Sequence, residues 1–236
     1  INAYDIYVVE YSCVSWDYVI HRNKIINLLK KDHFFTLNDD KFELLKIIEN
    51  IKPDIIHLEE IPEMFLDSKL AEKIYTKDRT YKLIETTHSS DFDPANKIFF
   101  PDKFVFVCEF SKIQYANLDV PSEVIEFPID IQVYNKKDFK VELNFNLDYS
   151  HVVIVGLFTP RKNQGYVFEL AKQLKKENII FHFVGNQAPN FEFYWKPLME
   201  DKPKNCIIWG ERGDVDKFLK AADLSLFVSK GHTGDM

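Results

Sequence analysis

Residues 151–176 read HVVIVGLFTPRKNQGYVFELAKQLKK and predict a strand, a loop and a helix, in that order. The strand is a short run of β-branched residues at 152–155 closed by Gly156, which is typical of a parallel strand covered on both faces. Apolar side chains then recur at helical spacing, at positions 167, 170, 171 and 174. This unit therefore indicates an α/β domain.

The loop of this unit carries two adjacent cations, Arg161 and Lys162. In α/β folds, the loops at the carboxyl edge of a parallel sheet bind ligands. The start of the following helix adds unpaired backbone N–H groups and the positive end of a dipole, so the combination suits a phosphate. The alternative is an ordinary strand–helix loop whose cations are simply solvated.

Composition narrows the class of protein. The 236 residues carry a formal net charge of −7, which argues against a general nucleic-acid or anionic-membrane surface. No apolar run approaches the roughly 18–20 residues that span a bilayer, and no secretory signal opens the chain. Cys13, Cys108 and Cys206 are too dispersed for a zinc site or a disulfide framework, so we expect a cytoplasmic location.

Glycine is confined to the last third of the chain. All seven glycines occur at or after position 156. Close backbone approach to a phosphate usually needs glycine, because a Cβ would obstruct it. The sequence therefore predicts that any nucleotide is held by the second half.

Strand and helix patterns alternate over residues 1–129 and again from 151, which predicts parallel sheets with helices on their faces. Residues 130–150 have mixed charge and no clear period, so we interpret them as a connection between domains. The aromatic segment at 191–195 is interpreted as an irregular loop. The expected organisation is an N-terminal Rossmann-like domain at 1–129, a connection at 130–150 and a partial C-terminal Rossmann-like domain at 151–236.

Seven segments, in order, resemble motifs of the retaining glycosyltransferases of glycosyltransferase family 4, the group 1 family with GT-B architecture. They are KPDIIHLEE (52–60), LIETTHSS (83–90), FVFVCEFS (104–111), VIEFPID (124–130), VGLFTPRKNQGYVFELAKQL (155–174), FHFVGN (181–186) and IIWGERGDVDKFLKAADLSLFVSK (207–230). The resemblance implies two Rossmann-like domains, the first on the acceptor side and the second holding the donor. It also implies transfer of a sugar from a nucleotide-sugar donor to a saccharide or lipid-linked acceptor, with retention.

The resemblance assigns roles to particular residues. Lys162 falls where the family keeps a Lys on the donor diphosphate, and Arg161 is close enough to supply a second cation. The family's Arg after the strand glycine is here Leu157. His88 matches the family His that faces the donor sugar, although a strand-end His bonded to local backbone is the alternative. His57 matches a weaker family position, for which a structural role is favoured.

The remaining donor or nucleotide contacts implied by the resemblance fall on Gly156, Gly185, Glu211 and Arg212. Solvated charges are the alternative for the last two. GT-B enzymes generally need no metal, so neither a metal nor another cofactor is expected. The expected partners are the donor and the acceptor, without nucleic acid, and a lipid-linked acceptor is compatible with peripheral membrane contact.

This sequence departs from the family's motifs in two places that matter for catalytic activity. The segment YVVEYSCVSWDY (7–18) lacks the glycines that the family places under the donor. The family also carries two Glu residues shortly after the Ser aligned with Ser229, whereas this chain offers only Asp235 before it ends. We therefore expect a member truncated in its second domain, and the alternative function is a non-catalytic nucleotide-sugar or partner-binding module.

Other site types find less support in the sequence. Asp91-Phe92-Asp93 has the D-x-D form that can hold a divalent metal, but Pro94 makes a plain turn the favoured interpretation. No G-x-G-x-x-G follows a strand, and a nucleophile elbow is also missing from the sequence. Dinucleotide enzymes and α/β-hydrolases are thereby disfavoured.

Overall fold

The computed structural model describes residues 4–10, 19–37, 40–88, 92–129 and 133–230. Every strand pair among them is parallel, and helices separate most strands along the chain. The predicted α/β class with parallel sheets is therefore confirmed. Two compact units are present: the first contains residues 4–10 and 29–129, and the second contains 133–230 together with 19–28.

The elements up to residue 129 are β1 (Val8–Glu10), α1 (Val19–Leu28), β2 (Phe34–Thr36), α2 (Glu43–Ile51), β3 (Ile55–Leu58), α3 (Pro62–Phe65), α4 (Ser68–Ile74), β4 (Lys82–Thr87), β5 (Lys103–Phe106), α5 (Glu109–Gln114) and β6 (Ser122–Val124). Those after it are α6 (Lys136–Glu142), β7 (Ser150–Val155), α7 (Gln164–Gln173), β8 (Ile179–Val184), α8 (Glu192–Glu200), β9 (Cys206–Gly210), α9 (Val215–Ala221) and β10 (Leu224–Ser225).

The first unit contains a β1–β2 pair and a sheet in the order β3-β4-β5-β6. Leu83 of β4 is fully buried against Leu70 and Ile74 of α4, and the apolar stripe of α2 packs on the same cluster. The α4 helix begins at a side-chain cap, since Asp67 accepts hydrogen bonds from the backbone of Lys69 and Leu70. This packing fixes β4, the strand that leads into His88.

A buried ion cluster reinforces the same strand. The ammonium of Lys97 lies 2.9 Å from the carboxylate of Glu85 and 2.8 Å from Oε2 of Glu63. The hydroxyl of Tyr75 donates to Oε2 of Glu85 at 2.9 Å. Burial raises the pKa of Glu85 to about 7. A charge without water must be paired, so Lys97 and Glu85 depend on each other.

The second unit has one sheet in the order β9-β8-β7-β10. This order corresponds to the first four strands of a doubly wound fold, 3-2-1-4, whose ligands bind where the order reverses. One face packs on α7, with Val167, Phe168 and Ala171 buried against Phe183. The other face packs on α9, where Phe218 is fully buried. Helices therefore cover both faces, as predicted.

The structure differs from the sequence-based expectation in two segments. The segment 130–150 contains α6, which is capped by Asn135, whose side chain accepts a hydrogen bond from the backbone N–H of Lys137. Asp223 joins this helix to β7 by accepting from Lys140 at 2.6 Å and from the backbone of His151 at 2.8 Å. The residues following α6 pack with the second unit, because Phe145 is buried in its core. The expected irregular loop at 191–195 lies largely within α8.

Candidate functional site

The loop between β7 and α7 places Lys162 across the end of β7. A Cβ built on Gly156 would lie 3.4 Å from the aliphatic carbons of the Lys162 side chain, so the stem of Lys162 passes directly over this glycine. Its ammonium lies 4.7 Å from the ring centroid of Phe227, which follows β10. A cation over an aromatic face is stabilised by the ring quadrupole. Lys162 is therefore held at the point between β7 and β10 where the strand order reverses.

Glycines at the ends of three strands bring backbone together at this edge. A Cβ on Gly185, whose φ is +156°, would lie 2.0 Å from the carbonyl oxygen of Gly156. The backbone N–H of Gly185 donates to the carbonyl of Gly210 at 2.8 Å. No side chain fits at Gly185, because its Cβ would overlap the backbone of the neighbouring strand. Gly156 and Gly185 thus shape the edge that the sequence assigned to the donor.

Hydrogen bonds fasten the loop on both sides. The backbone N–H of Lys230 donates to the carbonyl of Arg161 at 2.7 Å, and Nδ2 of Asn163 donates to the carbonyl of Val228 at 3.2 Å. Nε2 of the buried Gln164 donates to the carbonyl of Leu157 at 2.9 Å. The loop after β7 and the chain after β10 therefore form one connected surface.

Four buried polar atoms next to this edge have no hydrogen-bond partner among the residues that the structure describes. They are Nδ2 of Asn186, Nε2 of Gln187, Oε1 of Glu211 and Oγ of Ser229. Each belongs to a residue that follows β8, β9 or β10. Buried polar groups are normally satisfied, so such a group points to a ligand, ion or water. The amide and hydroxyl groups can donate to phosphate oxygens, and the carboxylate can accept from a hydroxyl.

The other predicted cations are placed differently. Arg161 is exposed, and its side chain lies on the same loop as Lys162. Arg212 is committed to Asp214, with Nε donating to Oδ1 at 2.9 Å and a second guanidinium nitrogen donating to Oδ2 at 2.8 Å. This pair lowers the pKa of Asp214 by hydrogen bonding. Glu211, with its unpartnered oxygen, is therefore better placed for a ligand than Arg212 is.

His88 lies immediately after β4 in the first unit, and its side chain is 29% exposed. Its Nε2 lies 3.1 Å from Oε2 of Glu59, and its ring stacks on Phe127 with 5.6 Å between centroids. Nε2 of His57 lies 2.6 Å from Oγ1 of Thr86. Thus His88 is bonded to a carboxylate rather than to local backbone. Its expected position opposite the Arg161–Lys162 loop stays a prediction.

Several expectations concern metals, membranes or chain ends. Across the described ranges, no group of three His, Cys, Asp or Glu side chains is arranged to hold a metal ion. Of the suggested D-x-D pair, Asp91 lies outside the described residues and Asp93 caps a short turn by accepting from the backbone of Ala95. The segment 11–18 and Asp235 also lie outside them. No helix in the described part of the chain is long and apolar enough to cross a bilayer.

Sequence reasoning did not single out Glu59, Asn186, Gln187 or Phe227. For Asn186 and Gln187 a signal was available in the sequence, because they directly follow Gly185, the glycine after β8. Polar residues at the carboxyl end of a parallel strand are candidates for ligand contact. The roles of Glu59 and Phe227 depend on contacts between elements distant in sequence, which no local pattern reports.

Comparison with known families gives one match. Residues 135–232 match the model of the family described as glycosyl transferases group 1. The matched residues contain the Arg161–Lys162 loop and the strand ends of the second unit. No curated protein sequence matches the chain.

Comparison with solved structures identifies GT-B glycosyltransferases. HepE from Anabaena, solved in complex with UDP and glucose, has a TM-score of 0.64 at 15% identity, over 86% of this chain and 63% of HepE. Sucrose-phosphate synthase from Thermosynechococcus elongatus has a TM-score of 0.61 at 15% identity, over 80% of this chain and 54% of the synthase. A glycosyltransferase from Rickettsia africae has a TM-score of 0.58 at 17% identity, over 96% of this chain and 74% of that glycosyltransferase.

These likenesses establish the fold. The chain has the α/β architecture of GT-B glycosyltransferases over the part that it covers. It spans 63% and 54% of the lengths of HepE and the synthase.

Proposed function

We propose that the complete protein transfers a sugar from a nucleotide-sugar donor to a saccharide or lipid-linked acceptor, with retention, and that the second unit of this chain holds the donor. The observation that carries the proposal is the coincidence of Lys162 with four unpartnered buried polar atoms at one sheet edge. The edge contains the switch point at which doubly wound folds bind ligands. The match of residues 135–232 to glycosyl transferases group 1 supports the same assignment.

In the proposed reaction, negative charge develops on the diphosphate as the bond to the sugar breaks. Lys162 stabilises that charge, because a fixed cation aimed at a developing anion lowers the barrier. The Phe227 ring orients the ammonium beforehand. Gly185 lets the ends of β7 and β8 approach each other, since a Cβ there would overlap the carbonyl of Gly156, and Gly156 lets the Lys162 stem cross the end of β7. Arg161 adds a second cation on the same loop.

The remaining roles follow the same proposal. Glu211 accepts from a hydroxyl of the nucleotide through its unpartnered oxygen. His88 contacts the donor sugar, and transfer proceeds without a metal. The protein works in the cytoplasm, where nucleotide-sugars are available, and a lipid-linked acceptor would bring it to a membrane surface.

Isothermal titration of the chain with UDP, GDP and ADP tests the donor assignment. We expect binding of at least one nucleotide, unchanged in EDTA, and the UDP complexes of HepE make UDP the first probe. UDP-glucose is the corresponding first donor for hydrolysis or transfer, and NMR of the released or transferred sugar reads its anomeric configuration. Absence of binding by all three nucleotides would overturn the donor assignment, and an inverted product would overturn retention.

The alternative is a non-catalytic module that binds a nucleotide-sugar or a partner. The two assignments differ in turnover, because a module would bind UDP-glucose without releasing UDP over background. Continuous detection of UDP release, with and without added acceptor sugars, therefore separates them.

A further inference from the structure

We propose that Glu59 is a positioning residue for His88: its carboxylate fixes the imidazole with Nε2 protonated and so leaves the Nδ1 lone pair available to accept from a sugar hydroxyl. This inference rests on the proposed function, in which His88 contacts the donor sugar. It goes further by naming the residue that sets the orientation and tautomer of the ring.

The geometry begins at the carboxyl ends of two adjacent strands. Glu59 directly follows β3, His88 directly follows β4, and these strands pair in parallel. Nε2 of His88 lies 3.1 Å from Oε2 of Glu59. A carboxylate only accepts, so this contact requires the proton of the neutral ring to reside on Nε2. Nδ1 then carries the lone pair.

The second oxygen of the same carboxylate faces another imidazole. Oε1 of Glu59 lies 3.4 Å from Nδ1 of His57, and Nε2 of His57 lies 2.6 Å from Oγ1 of the buried Thr86. The hydroxyl of Thr86 can donate to Nε2 of His57, which leaves the His57 proton on Nδ1, facing Glu59. The Glu59 carboxylate is thus placed between two rings, one of which is anchored in the sheet.

Phe127 fixes the plane of the His88 ring. The two rings are nearly parallel, with 6° between their planes and 5.6 Å between centroids. Stacking restrains tilt, and the Glu59 contact restrains rotation about the ring axis. Together they hold Nδ1 in one direction.

The arrangement does little for stability, because 67% of the Glu59 side chain is exposed and exposed ion pairs contribute little. A carboxylate that orients a histidine and selects its tautomer is a known device in catalysis. The Glu59 side chain can therefore be changed without unfolding the protein, which makes its proposed role open to a clean test.

The test compares Glu59→Ala and Glu59→Gln with His88→Ala and the double variant. In UDP-glucose hydrolysis, we expect Glu59→Ala to lower kcat about tenfold with KM unchanged. Glu59→Gln should retain most of the rate, because its amide oxygen still accepts from Nε2. Adding Glu59→Ala to His88→Ala should cause no further loss. A full additional loss in the double variant, or an unchanged kcat in Glu59→Ala beside a reduced kcat in His88→Ala, would overturn the proposal.

A second readout needs no activity. Long-range ¹⁵N–¹H spectra of histidine-labelled protein should show one Nε2–H tautomer for His88, and a mixture of tautomers in Glu59→Ala. Glu72→Ala removes another exposed carboxylate of the first unit, on α4, and should change neither readout. An unaltered His88 spectrum in Glu59→Ala overturns the positioning role whatever the activity. If the spectra change as expected but UDP-glucose is not turned over, the proposed function fails and the structural part of this inference stands.

Discussion

Nδ1 of His151 and Nε2 of His182 lie 2.8 Å apart inside the second unit, where both side chains are almost completely buried. The chain of hydrogen bonds continues at both ends. Nε1 of Trp209 donates to Nδ1 of His182 at 3.1 Å, and Nε2 of His151 donates to the carbonyl of Asn146 at 2.8 Å. Each ring therefore donates once and accepts once, which requires both histidines to be neutral.

This pair predicts acid sensitivity of the second unit. Burial lowers the pKa of His182 from 6.5 to about 3 and also lowers the pKa of His151. The pKa of His182 is thus about 6.5 in the unfolded chain and about 3 in the folded one. Between these two pH values the unfolded chain binds more protons than the folded one, so the free energy of unfolding falls as pH falls. We expect a loss of about 2–3 kcal/mol from His182 between pH 7 and pH 4.5, measured by urea unfolding. His182→Gln should have a flatter pH profile, and an equal slope in that variant would contradict this cause.

The buried ion cluster of the first unit predicts a large effect of one lysine. Lys97→Ala leaves the buried Glu85 without its cation and should cost about 3–5 kcal/mol at neutral pH. Burial already raises the pKa of Glu85 to about 7, and removal of Lys97 should raise it further, so the deficit should grow as pH rises above neutral, where Glu85 must give up its proton without a cation beside it. Lys69→Ala, an exposed lysine on α4, should change stability by no more than about 0.5 kcal/mol. A Lys97→Ala deficit as small as the control would show that the cluster is not needed.

Lys162→Ala tests the donor loop. We expect it to weaken UDP binding by about 1.5–3 kcal/mol, because a charge-assisted hydrogen bond is lost, with little change in melting temperature. Lys175→Ala, in the same unit but beyond the other end of α7, is the matched control and should bind as the wild type does. Arg161→Ala should have a smaller effect if Lys162 makes the main contact and a larger one if Arg161 replaces the cation missing at Leu157. Unchanged affinity in the Arg161/Lys162 double variant would refute the loop assignment.

Gly185→Ala tests the contact between strand ends. The added methyl would overlap the carbonyl of Gly156 at 2.0 Å, and φ is +156°, so we expect a loss of about 2–4 kcal/mol in stability. Gly210 also has a positive φ, +66°, which is unfavourable for alanine, but a Cβ at this position would meet no atom within 4 Å. Gly210→Ala should therefore cost only about 1–2 kcal/mol. Thermal unfolding of both variants measures the difference, and equal losses would assign the whole effect to backbone strain.

The sequence was most informative where local patterns decide structure. The β-branched run and the helical stripe at 151–176 correctly predicted β7 and α7, because strand and helix periods are local properties. By contrast, α8 contains Pro197 and a cluster of aromatic residues, which hid its helical character. The short α6 has too few residues for a period to emerge, although Asn135 could have been recognised as its cap.

The site was partly predictable for the same reason. Arg161 and Lys162 are recognisable from the strand–loop–helix pattern, whereas Gly156 and Gly185 were assigned to the site through the family resemblance. The position of the Lys162 ammonium over Phe227 and the bond between Glu59 and His88 arise from strand pairing across long sequence separations. The register that creates such neighbours cannot be deduced from spacing within one segment.

The hydrogen bonds between the β7–α7 loop and the chain after β10 bear on how the ligand specificity of this sheet edge could be altered. Both hydrogen bonds are accepted by main-chain carbonyls, those of Arg161 and Val228. The donor to Arg161 is also a main-chain group, the N–H of Lys230. Only Asn163 contributes a side chain to them. Val228 packs against the core and must stay apolar, but residues 161 and 230, with proline excluded at 230, can be randomised together in a selection for new anionic ligands while the backbone hydrogen bonds that hold them are kept.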